Sequence, residues 1–315
     1  MVRRWGSLLA LVLAGCAAAP AQQAAPRYPT IVSLNPCTDA ILAEVADPAQ
    51  ILAISHYSQD PAGSSMALAT ARRFRATGGA VEEVLALKPD VVVDGTFTPP
   101  ATRAALEQLG LKLEQMPIAA TVADSLAQIR RLAALAGHPQ RGEALVRRIE
   151  AALAASRGPA TAPVPAIVWQ GGGIVAGEGT LITALLAHTG FANTAAARGL
   201  SQASHLPLEA MLANPPRVIF AAGNSHGEED RLLGHPALAG LKHTTRAPLE
   251  PSLLWCGGPT IPKTLARLAE VRRGLRPIES TTPQPPPLKR RGGNEVVRLA
   301  PSSLEEGVGG GGVPQ

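Results

Sequence analysis

Two α/β lobes joined by a single long helix are what this 315-residue sequence predicts, on three grounds. Short β-branched runs alternate with stretches of helical apolar spacing along most of its length. A pattern E-x-x-L-A-x-x-P-x-V-[IV] occurs twice, from Glu82 to Val92 and from Glu209 to Ile219, at a constant offset of 127. Each copy codes a helix, a Pro that ends it and a buried strand, as expected if one lobe is built twice. Between the copies, residues 121–157 keep apolar positions every three or four residues, the period of a long helix.

The chain opens on MVRRWGSLLALVLAGC, a basic start and a short apolar run, which has the form of an export signal over residues 1–16. The run is too short to span a bilayer. Leu13-Ala14-Gly15-Cys16 resembles a bacterial lipobox, which implies cleavage before Cys16, lipidation of its thiol and a membrane tether; secretion with cleavage after Ala21 is the alternative. Residues 17–29 are a polar, Pro-broken spacer. Removing Cys16 leaves Cys37 and Cys256, a pair in a compartment that permits disulfides.

The first lobe is expected over residues 30–120. Thr30 to Leu34 reads as a strand feeding a helix from Thr38 to Ala46, Ile51 to Ser55 as a second strand, and Val91-Val92-Val93 as a strand buried on both faces. Pro100 to Leu109 is helical, and Gly110 stops it. In the interlobe helix, residues 121–157, Thr121 and Asp124 form a capping pair and Gly137-His138-Pro139 is a point of fracture. The second lobe, residues 163–276, has strands at Ala166 to Trp169 and Val218 to Ala221, and helices at Leu181 to Thr189, Leu208 to Leu212 and Ile261 to Arg273. Residues 277–315 hold seven Pro and seven Gly without periodicity, the composition of a disordered tail.

Several function classes fall away. The formal charge of +5, from 29 Lys and Arg against 24 Asp and Glu, is scattered without a basic stripe or aromatic interleaving, so nucleic-acid binding is not expected. The seven His residues lack H-x3-H or HExxH spacing, so no pre-formed metal site is expected. Gly223-Asn224-Ser225-His226-Gly227 fits G-x-S-x-G and makes a secreted serine hydrolase using Ser225 the rival class, with Asp230, Glu250, His235 and His243 as triad partners; no helix pattern follows Ser225, as a nucleophile elbow requires. Gly171-Gly172-Gly173 follows a strand without the acidic residue a dinucleotide site needs.

The segments IVSLNPCTDAIL, ILAISHYSQDP and EEVLALKPDVVV, with the helix that follows them, resemble the periplasmic solute-binding proteins of ABC importers for vitamin B12 and iron complexes, over about Ile31 to Arg273. The resemblance implies the class III architecture, two Rossmann-like α/β lobes on one interlobe helix. It further implies a non-enzymatic monomer in the periplasm and a metal chelate held between the lobes (a corrinoid or a ferric siderophore or haem). Its partners would be a dimeric ABC permease with a cytoplasmic ATPase, and the membrane through the lipid anchor. An exposed glutamate on each lobe would dock the permease, here Glu82 or its neighbour Glu83, and Glu209. Rings are only 3% of the residues, and His56, Tyr57, Phe97, Trp169 and Trp255 lie near strand ends, where an open α/β sheet binds ligands. Ala76 stands where B12-binding members carry a large aromatic. Cys37 and Cys256 are placed at the cleft from opposite lobes, where a disulfide, free thiols and ligand-contacting thiols are alternatives decided by whether their Cα atoms come within about 7 Å.

Overall fold

A computed structural model describes residues 28–61, 63–223 and 231–275. The export segment with Cys16, the spacer up to residue 27, the stretch 224–230 around Ser225 and the C-terminal tail lie outside the described residues. Both lobes belong to one compact unit that ends at Leu275.

Lobe one is a doubly wound sheet. Its elements run β1 (Ile31–Ser33), α1 (Pro36–Val45), β2 (Ile51–Ser55), α2 (Leu68–Ala71), β3 (Ala76–Thr77), α3 (Val81–Leu87), β4 (Val91–Gly95), α4 (Pro100–Gln108) and β5 (Leu113–Met116). The five strands are parallel in the order β3-β2-β1-β4-β5. Alternation explains the layers: Val91 and Val93 face the core shared with α1, and Val92 faces Val84 and Leu106 on the opposite side, all of them buried. Helix α1 begins where the Asn35 side chain accepts from the Cys37 amide and Pro36 fills the first turn. Helix α3 ends at Lys88, which takes a left-handed conformation (φ 50°); as the residue before Pro89 it is disfavoured from continuing the helix.

The expected interlobe helix is two elements, α5 (Val122–Leu135) and α6 (Pro139–Ser156), separated where Gly137 turns to φ 81°. Helix α5 opens on the Thr121–Asp124 capping box and is tied to lobe one by the Arg131–Glu114 ion pair and by the Gln128 amide donating to the Pro117 carbonyl. Gly142 of α6 has no room for a Cβ against Ala133, so the two helices approach closely there. Helix α6, 18 residues and about 27 Å long, contacts both lobes. Arg141 near its start and Arg148 at its middle bridge Asp47 (2.7 Å) and Glu44 (3.1 Å) of lobe one. At its far end His188 of lobe two donates from Nε2 to the Leu153 carbonyl (2.7 Å), and its own carbonyl accepts from the Gly158 amide (2.9 Å).

Lobe two continues with β6 (Val164–Gln170), β7 (Ile174–Val175), α7 (Leu181–His188), β8 (Phe191–Asn193), α8 (Thr194–Ala197), β9 (Ser204–His205), α9 (Leu208–Ala213), β10 (Val218–Ala222), α10 (Pro236–Ala239), β11 (Thr245–Leu249) and α11 (Ile261–Gly274). The order is β11-β10-β6-β7-β9, with β8 also beside β6; β8, β10 and β11 join in parallel, β7 and β9 antiparallel. The sequence repeat is structural: an offset of 127 carries β4 onto β10 end for end, and Val84 and Met211, which anchor α3 and α9, are both 0% exposed.

Candidate functional site

A cleft of about 630 Å³ opens between the lobes. Its walls are the segments that leave the C-terminal ends of the strands: Thr96 and Phe97 after β4, Pro117 to Ala119 after β5, Gln170 at the end of β6, and Leu254 to Gly257 beyond β11. In an open α/β sheet this is the edge where ligands bind. An adjoining cavity of about 450 Å³ belongs to lobe one and holds His56, Tyr57 and Thr77; Asn35 and Phe97 line both spaces. Gly95 is required where β4 ends, because a Cβ there would overlap the Asn35 side chain.

Large apolar side chains left in water concentrate here. Phe97 (75% exposed), Ile118, Ile174 and Trp255 (55%) face the cleft, and Tyr57 (55%) faces the side cavity. Exposed apolar surface gathered in a concavity marks a binding site.

One wall of the cleft is covalent. Cys37, in the first turn of α1, is joined by a disulfide to Cys256 of lobe two, with Cα atoms 5.0 Å apart, and both residues line the cavity. Beside it the Gly258 amide donates to Ser125 Oγ of α5 (2.7 Å). The lobes are thus fastened at the cleft as well as along α6.

Not every predicted ring reaches the site. Trp169 is 0% exposed, packed with Ile167 and Ile219 and donating from Nε1 to the Leu206 carbonyl. It is a core residue, because on β6 its side chain shares a face with Ile167, and that face is covered. Its neighbour Gln170 lines the cleft instead, with Gln202 from the loop before β9. Sequence reasoning missed both glutamines; the signal was their place at a strand end and in the connection from α8 to β9. His56 stacks on Tyr57 (ring centroids 4.0 Å apart) and its Nδ1 lies 3.3 Å from the Thr77 carbonyl. Ala76 sits in β3, next to Thr77 of the side cavity.

Glu82 and Glu209 are each the second residue of their helices, α3 and α9, and both are exposed. Glu83 is committed elsewhere. Its carboxylate accepts from Thr77 Oγ1 (2.6 Å) and the Gly78 amide (2.7 Å), and the Thr77 bond above all holds its pKa below the ordinary glutamate value. Glu82 is thereby the geometric counterpart of Glu209.

Asp39 sets the loop that carries His56 and Tyr57. Fully buried on α1, it accepts at Oδ2 from the Ser55 amide (3.0 Å) and Ser58 Oγ (2.7 Å), and burial pushes its pKa from 3.8 up to about 8. The unfolded carboxyl ionises near its ordinary value, whereas the folded one holds its proton to far higher pH. The resulting stabilisation is full below 3.8 and is lost as pH rises toward 8. The native protein should therefore lose about 5 °C or more of Tm between pH 5 and 8, and Asp39→Asn should flatten that slope. Thermal melts across this range check it; parallel slopes for the two proteins would refute the assignment.

The family described as periplasmic binding protein matches residues 31–245. No curated protein matches the sequence. Among solved structures, a periplasmic heme-binding protein from Roseiflexus sp. RS-1 in apo form is similar with a TM-score of 0.61 and 23% identity, over 78% of this chain and 97% of that one. A periplasmic heme-binding protein from Pseudomonas aeruginosa gives 0.61 and 24%, over 79% and 95%. The periplasmic vitamin B12-binding protein of Vibrio cholerae gives 0.58 and 18%, over 78% and 98%. At these identities the likeness is one of fold: two α/β lobes around a cleft.

Proposed function

Because the chain belongs to the periplasmic binding protein family, and its fold is the class III form of that architecture, we propose that it is the capture component of an ABC importer. It would take a metal chelate of the corrinoid, haem or ferric-siderophore kind into the interlobe cleft and present it to the permease. The carrying observation is that the exposed rings Phe97 and Trp255 converge from the two lobes on one cleft, with Tyr57 in the cavity that adjoins it. In this reading the protein is a monomeric binder and not an enzyme, and nothing in the comparisons favours the hydrolase alternative built on Ser225. It is delivered to the periplasm and tethered there by lipid on Cys16. No helix among the described residues is long and apolar enough to cross a membrane. Native mass spectrometry with absorbance spectra, after exposure to cobalamin, haem and ferric siderophores, tests the reading; a protein that retains none of the three is not this kind of carrier.

Docking follows the repeat. Glu82 and Glu209, held alike on the two lobes, are suited to basic pockets on the two subunits of a permease, since interface charges set recognition and register. The double reversal Glu82→Lys with Glu209→Lys should leave ligand affinity within about twofold and cut stimulation of the importer ATPase by about tenfold or more. Proteoliposomes containing the transporter provide the measurement, and undiminished stimulation would remove the docking role.

A further inference from the structure

Among the described residues, the cleft carries no charged side chain. Of its 24 lining residues among those described, none is Asp, Glu, Lys, Arg or His, although 17% of the chain is charged and would place about four there by composition. The side cavity adds His56 alone. The polar groups that do face the cleft are amides and hydroxyls. Gln170 and Gln202 make no side-chain hydrogen bond among the described residues, and Thr96 is exposed between Gly95 and Phe97. A primary amide both donates and accepts, and so pairs with another amide or carbonyl without needing a counter-ion.

Resting on the transport reading above, we infer that this cleft selects an electroneutral chelate: a ligand whose metal charge is balanced by its own donor atoms, with apolar faces and amide or carbonyl groups on its rim. Trp255 and Phe97 receive the faces, and Gln170 and Gln202 receive the rim. A polyanionic chelate such as a ferric tris-catecholate is disfavoured. Bringing its charges into a largely apolar cleft without a paired cation forfeits hydration that nothing there replaces.

Isothermal titration of the full chain with four probes tests this: cyanocobalamin and an electroneutral ferric trihydroxamate, against haem with its two propionates and a trianionic ferric tris-catecholate. At least one neutral probe should bind about 100-fold more tightly than the tris-catecholate, with a Kd that moves less than about twofold between roughly 20 and 500 mM NaCl. Gln170→Arg should raise affinity for the tris-catecholate about tenfold. Gln202→Arg, at an exposed position, serves the same purpose should the first variant fold poorly. Tight, salt-sensitive binding of the tris-catecholate, with the neutral probes failing, would overturn this inference and leave the transport reading standing. Failure of all four probes would overturn both.

Discussion

Trp255→Ala should weaken ligand binding by about thirtyfold or more while shifting Tm by no more than about 2 °C. The indole is 55% exposed on the loop beyond β11 and lines the cleft from lobe two, as Phe97 does from lobe one. A side chain that the fold leaves half in water contributes little to folding; its apolar area is gained back only when a ligand covers it. The loss expected on truncating such an aromatic anchor is on the order of 2 kcal/mol. Trp169 provides an internal reference, since it is fully buried in lobe two: ligand should quench the Trp255 contribution to fluorescence, and the variant should keep the Trp169 emission without the ligand response. A loss of affinity below about threefold would mean that the cleft is not where the ligand sits.

Reducing the Cys37–Cys256 bond should lower Tm by on the order of 10 °C. The bond closes a loop with a sequence separation of 219 residues, and for so long a loop the chain-entropy estimate approaches about 5 kcal/mol. Melts with and without reductant measure the effect. The double variant Cys37→Ser with Cys256→Ser should start at the lower Tm and ignore reductant. A native protein equally stable in both conditions would show that α6 and the Ser125–Gly258 hydrogen bond hold the lobes without covalent help. Affinity should change less than stability, because α6 keeps the lobes in register at both of its ends.

The parts of this structure that were legible in the sequence are those with a doubly covered strand. The copies around Val91 and Val218 repeat because each lobe needs a helix, a stop and a strand buried on both faces, and that need constrains nearly every residue. Edge strands escape this rule. In β11, Thr245 to Leu249, one side of the strand lacks a neighbour, Pro248 is tolerated, and the apolar pattern thins to Ala247 and Leu249. The antiparallel pair β7 and β9, two residues each, is too short to show a period. The apolar spacing of residues 121–157 runs through the turn at Gly137, since α5 and α6 bury their stripes in the same core; periodicity alone cannot separate one rod from two packed helices.

At the site the same division holds. A ring near a strand end was visible, but not which way it points. Trp169 differs from Trp255 because it lies inside β6, two residues from Ile167, where alternation assigns it to the covered face, whereas Trp255 lies beyond any strand. The repeat already aligned Glu82 with Glu209; what sequence reasoning could not show is that Glu83 is committed to Thr77 and the Gly78 amide, which depends on where they fall in three dimensions.

Synthesis proceeds from the N-terminus, so Cys37 exists long before its partner, which lies 219 residues further along. The cysteine bond that walls the cleft is therefore among the last features of the fold to be completed. The residues of lobe one, α6 and most of lobe two are all made before Cys256, so a chain that stops short of it lacks this wall of the pocket. Maturation thus imposes an order of events: the cleft wall is closed covalently only after the chain has emerged as far as Cys256 and met an oxidant.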